Sequence, residues 1–65
     1  MPVVIIEGNP LDIDKKREYV KNLTKLTAET YNRPESTITV LIREIEPENV
    51  GVAGNLLADI INKDK

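Results

Sequence analysis

Apolar and polar positions divide the chain into blocks of different period. Val3-Val4-Ile5-Ile6 is an unbroken β-branched run directly after Pro2, a composition that favours a strand. The lack of polar alternation is what a strand covered on both faces looks like. Glu7-Gly8-Asn9-Pro10 then supplies turn residues. From Ile13 to Tyr31 the spacing is helical, with Tyr19, Val20, Leu23, Leu26 and Thr27 sharing one stripe. Lys15, Arg17, Glu18, Lys21, Asn22, Lys25 and Glu29 fall mainly outside it, and Lys16 lies on its edge. Asp12 is placed to cap the helix, and Asp14 puts negative charge in its first turn. Asn32 suits the left-handed residue that stops a helix, and Pro34 prevents continuation. A second β-branched run spans Thr37 to Ile45, with Ile38, Val40 and Ile42 on one apolar face and Pro47 beyond its end. Residues 49–55, which include Gly51 and Gly54, predict a tight loop or short hairpin in which the glycines serve the backbone. Residues 56–61 fit either a helical turn or a short strand, and residues 63–65 a frayed tail.

Strand, helix, strand in that order predicts a βαβ unit with parallel strands, an α/β (α+β) fold with a short C-terminal hairpin or turn. The 65 residues permit one domain, 1–65. Two strands and one helix cannot cover both faces of a sheet. A dimer that merges two such sheets into a four-stranded layer is therefore expected, with further association beyond it.

Composition narrows the chemistry. The chain has no Cys and no His, so disulfides, thiolate metal sites and His-dependent triads cannot be built; neither metal nor cofactor is expected. A net charge of −2 lacks the footprint of a nucleic-acid binder, and Tyr19 and Tyr31, the two aromatics, offer no base-stacking platform. The run Pro2–Ile6 is far short of the ~20 residues a membrane span needs, and no leader segment is read. A cytoplasmic protein is expected.

The amino terminus remains. Its unperturbed pKa, ~7.7–8.0, is the one close to neutrality among the groups present, and a general base works best near the operating pH. Removal of Met1 ahead of a small residue would leave a secondary amine on Pro2, rigid in its ring. Burial against an apolar strand disfavours the cationic form and so depresses its pKa. Pro2 is the candidate catalytic base.

Several features taken together resemble one family. They are Pro2 with its apolar strand, Glu7-Gly8, a single amphipathic helix, Pro34, the run Ser36-Thr37-Ile38-Thr39-Val40-Leu41-Ile42-Arg43-Glu44 and the segment Val50-Gly51-Val52-Ala53-Gly54. The chain is similar over nearly its whole length to the 4-oxalocrotonate tautomerases, in particular to the small DmpI-like members. The resemblance implies a cofactor-independent isomerase whose terminal proline moves a proton in a small unsaturated 2-hydroxy or 2-keto acid. It also implies assembly as a hexamer, with arginines of neighbouring subunits holding the substrate's carboxylate and carbonyl groups. The proline carries over onto Pro2. The arginine after the first strand falls near Asn9 to Leu11, none of them basic; that of the second strand falls on Thr39, and the aromatic wall on Val50. Substrate contacts are therefore expected at Thr39, Val50, Leu11 and, presented by a neighbouring chain, Arg43. Within one chain Arg43 reads as a partner for Glu7 or Glu46, Lys16 as a lysine lying along the apolar edge, and Arg33 as a solubilising loop residue. The alternative is a weak or inactive oligomeric binding module on the same scaffold.

Overall fold

The computed structural model describes residues 2–63. Strand β1 (Val3–Gly8) leads to helix α1 (Ile13–Tyr31), strand β2 (Thr39–Glu44), a hairpin of β3 (Gly51–Val52) and β4 (Asn55–Leu56), and helix α2 (Leu57–Lys63). Single 3-10 turns precede β2 (Glu35–Thr37) and follow it (Pro47–Asn49). The order and the parallel pairing of β1 with β2 are those expected of a βαβ unit.

The register runs from Val3 opposite Thr39 to Gly8 opposite Glu44. Strand β1 is two residues longer than the sequence predicts: Glu7 and Gly8 stay in the ladder because Arg43 and Glu44 pair with them and the Ile45 N–H donates to the Gly8 carbonyl at 2.8 Å. Strand β2 starts two residues later than predicted. Thr37 bends into the turn, its N–H and its hydroxyl both donating to the Pro34 carbonyl at 3.0 and 2.7 Å. Local bonding of this kind competes with a strand ladder and here overrides β-branched propensity.

Helix α1 begins and ends where its caps direct. The Asp12 carboxylate accepts the Lys15 N–H at 2.8 Å, and Asn32 closes the helix at φ 54, ψ 50. The inward stripe differs from the one predicted. Val20, Leu23, Thr24 and Thr27 are half-buried and Ala28 is buried, whereas Tyr19 and Leu26 are exposed, Leu26 by 60%. A two-stranded sheet is narrow, so only the middle of a wide apolar stripe finds cover.

Along β1 and β2 burial alternates. Val4, Ile6, Val40 and Ile42 face the helix half-buried, while Val3, Ile5 and Leu41 are exposed on the opposite face. Ala28 is the one buried hydrophobic residue among those described, at 7% exposure. The radius of gyration is 15.7 Å and the extents are 45 × 24 × 14 Å, against about 11 Å for a compact domain of this length. The C-terminal arm accounts for the elongation: α2 packs on the Pro47–Asn49 turn, and its Leu57 N–H donates to the Val50 carbonyl at 2.7 Å.

At the hairpin tip, Ala53 and Gly54 have φ of 53 and 82, the two positive values that a tight turn joining twisted strands demands. Gly54 is the backbone device anticipated from the sequence. Gly51 is not: it sits in β3 with room for a methyl group. Residues 56–61 divide, Leu56 ending β4 and α2 starting at Leu57. Of the expected tail, Lys63 ends α2, and residues 64–65 lie outside the described residues. No described helix is long and apolar enough to cross a membrane.

Candidate active site

Because β1 and β2 are parallel, both start at the same end of the sheet, and the crossover helix must return its C-terminus there. That is where Pro2 lies. Its carbonyl accepts the Thr39 N–H at 3.1 Å, which ties the first described residue to the start of β2. Helix α1 ends beside it in a pair of bonds, Asn32 N–H to the Glu29 carbonyl at 3.3 Å and Arg33 N–H to the Ala28 carbonyl at 3.0 Å, the pattern of a helix stop with its left-handed residue at Asn32. Arg33 is thus anchored through its backbone to the buried Ala28. Pro34 to Ile38 then turn tightly, the Ile38 N–H donating to the Glu35 carbonyl at 3.1 Å. Pro2, Arg33, Ser36 and Thr37 line a recess of about 330 Å³, within the range of small-molecule sites.

The other expected site residues lie elsewhere in the chain. Arg43 is four register steps along the sheet from Thr39, about 13 Å by strand rise, and its Nη1 lies 3.0 Å from Glu7 Oε1. Leu11 is at that same far end, its N–H donating to Glu44 Oε2 at 3.0 Å. Val50 belongs to the C-terminal arm. Only Thr39 is brought to Pro2, and by its backbone.

The far end is electrostatically closed. Lys16 Nζ stands 2.7 Å from Glu44 Oε1, so the lysine on the apolar edge is an ion-pair partner as well as a stem lying on the helix face. The hydrogen bond from Lys16, then that from the Leu11 N–H, hold the Glu44 carboxyl below its usual pKa range. A second recess of about 250 Å³ lies between Glu46, Pro47, Glu48 and α2 residues Ala58, Ile61 and Asn62. Among the described residues it presents two carboxylates and no cation, which unsuits it to an acidic ligand.

Sequence reasoning missed Arg33, Ser36 and Thr37 as neighbours of Pro2. The signal was present in the topology: a parallel crossover brings the loop before its second strand to the start of its first.

Residues 2–60 match the family model described as Tautomerase enzyme. This chain belongs to the tautomerase family. Among solved tautomerase-type structures, DmpI from Archaeoglobus fulgidus is 53% identical over 89% of this chain and 100% of its own, with a TM-score of 0.80. A 4-oxalocrotonate tautomerase homologue is 25% identical over 91% of this chain and 95% of its own, with a TM-score of 0.82. A heterohexamer 4-oxalocrotonate tautomerase from Chloroflexus aurantiacus shares the fold at 20% identity, covering 92% of this chain and 97% of its own, with a TM-score of 0.75. No curated protein matches the chain. The resemblance drawn from Pro2, the single helix and the Val50–Gly54 segment thus names the right family, and the parallel βαβ unit is the tautomerase fold.

Proposed function

We propose that this tautomerase uses the Pro2 nitrogen, freed by removal of Met1, as the general base that isomerises a small unsaturated 2-hydroxy or 2-keto acid. The nitrogen takes a proton from the 2-hydroxyl of an enol, or, starting from the ketone, from the carbon α or γ to the carbonyl. Either loss leaves the same enolate, and the protonated Pro2 returns the proton to one of its carbons. No atom is gained or lost. A base and a means of holding enolate charge suffice for this step.

The observation that supports it is the recess at the start of the sheet, where Pro2 and Arg33 line one cavity. Thr39, bonded to the Pro2 carbonyl, joins the site from the same chain. Leu11, Val50 and Arg43 would join it only from neighbouring chains, and Arg43 would first have to loosen its bond to Glu7. Such neighbours are expected, since Ile5 is 53% exposed on an uncovered sheet face and one relative of the same fold is a heterohexamer. We assign this chain a homo-oligomer built from dimers of βαβ units, with a hexamer as the full assembly.

Ketonisation of phenylenolpyruvate and of 2-hydroxymuconate by protein shown by intact mass to begin at Pro2 is the direct test. Replacing Pro2 with Ala should lower kcat roughly 10²- to 10⁴-fold, the usual worth of a positioned base. The wild-type rate should rise with pH through one ionisation, as the neutral amine forms. Undiminished turnover by Pro2→Ala would remove the proline from the mechanism.

A further inference from the structure

We infer that Arg33 is the carboxylate-binding residue of this site, and that the substrate class is an enol or keto acid with a single carboxylate next to the reacting carbons. The inference rests on the reading of Pro2 as the base. The chain has three arginines, at 17, 33 and 43. Arg17 is held 2.9 Å from Asp14 on the exposed helix surface, and Arg43 is held 3.0 Å from Glu7 at the far end of the sheet. Among the described residues Arg33 has no carboxylate within ion-pair distance. It is also the arginine that lines the recess with Pro2.

A planar guanidinium presents parallel donors that match both oxygens of one carboxylate. Its position here is fixed from behind, since the Arg33 N–H is bonded to the Ala28 carbonyl and the residue before it is locked in the left-handed conformation. The recess offers one further unengaged donor. The Thr37 hydroxyl is committed to the Pro34 carbonyl, whereas among the described residues the Ser36 hydroxyl makes no hydrogen bond. Arg33 and Ser36 together can hold one carboxylate. A second carboxylate on the ligand would meet no unpaired arginine, because the charge of Arg43 is answered by Glu7.

A competing explanation is that Arg33 merely complements the negative end of the α1 dipole. That role would affect stability and leave ligand affinity alone, so the experiment reads both. Calorimetric titration of the mature, assembled protein uses 3-phenylpropanoate, a non-reacting monocarboxylate, and its methyl ester. Kinetics use phenylenolpyruvate and 2-hydroxymuconate. Arg33→Gln should weaken binding of the acid and raise KM for phenylenolpyruvate roughly ten- to hundred-fold, as expected for loss of a charged hydrogen-bonded pair, with kcat changed less than KM. Ester binding should not change. Arg33→Lys should recover part of the affinity, and Arg17→Gln, which deletes the same charge from the helix surface, should do nothing to it. In Pro2→Ala the acid should still bind although turnover is lost, which separates the two assignments: normal turnover there sinks the base and leaves the affinity series to judge Arg33. Equal acid binding by wild type and Arg33→Gln, equal losses for acid and ester, or a lower unfolding midpoint with unchanged affinity would each overturn the assignment of Arg33. A kcat/KM for 2-hydroxymuconate exceeding that for phenylenolpyruvate tenfold would overturn the single-carboxylate class.

Discussion

The two ends of the β1–β2 sheet hold their cations in opposite states. At the end where the strands finish, Lys16 is bound to Glu44 and Arg43 to Glu7, and the Leu11 N–H completes the closure on Glu44. At the end where the strands start, Arg33 stands without a carboxylate among the described residues, beside Pro2. Each end carries an arginine. The difference is that one end satisfies its charges internally and the other leaves a donor for something absent from the chain. Unanswered charge next to a candidate base is a better guide to a site than charge as such.

Changes to each end should therefore read out differently. The largest effect expected on stability is at the open end, from Asn32→Ala. A Cβ-bearing residue without a short polar side chain tolerates the φ of 54 at this position poorly, at a cost of about 1 kcal/mol. Because Asn32 seats Arg33, urea unfolding should shift and KM should rise in the same variant, while Asn32→Gly should restore both. A stability loss with an unchanged KM would detach the seat from the site.

Next comes the closed end. The carboxyl of Glu44 is lowered from 4.5 by Lys16 and by the Leu11 N–H, so its stabilisation is present above that value. It fades as pH falls through the lower value of the folded state. Glu44→Gln should accordingly be less stable than wild type at neutral pH, and the two unfolding midpoints should converge on acidification. Parallel curves across the acid range would contradict this. The smallest effect is that of Glu7→Gln, which frees Arg43. Exposed pairs of this kind contribute about 0–1 kcal/mol, and whatever difference appears in thermal unfolding should shrink in high salt.

What could be read from the sequence was local. The caps Asp12 and Asn32 carry their own signals, and they bound α1 where expected. The apolar runs identify β1 and β2, and the turn residues locate the hairpin tip at Ala53-Gly54. Strand edges moved where a distant partner decided, as with Glu7 opposite Arg43, or where a nearer one did, as with Thr37 and Pro34. The helix face was half legible: periodicity groups Leu26 with Leu23, but the width of the sheet determines which of them is covered. Pro2 was nominated as a candidate base through its chemistry. Arg33 was not, because nothing adjacent in sequence marks it; only the register that sets Val3 against Thr39 brings residues 2 and 33 to one recess.

The slender outline, 14 Å through its thinnest direction, has a consequence for handling the protein. A body so thin has almost no interior, and Ala28, the single shielded hydrophobic among the described residues, cannot hold such a shape in water by itself. Acquiring structure and meeting other copies should then be one event, with an unfolding midpoint that climbs with protein concentration. Dilution would act on it as a denaturant does.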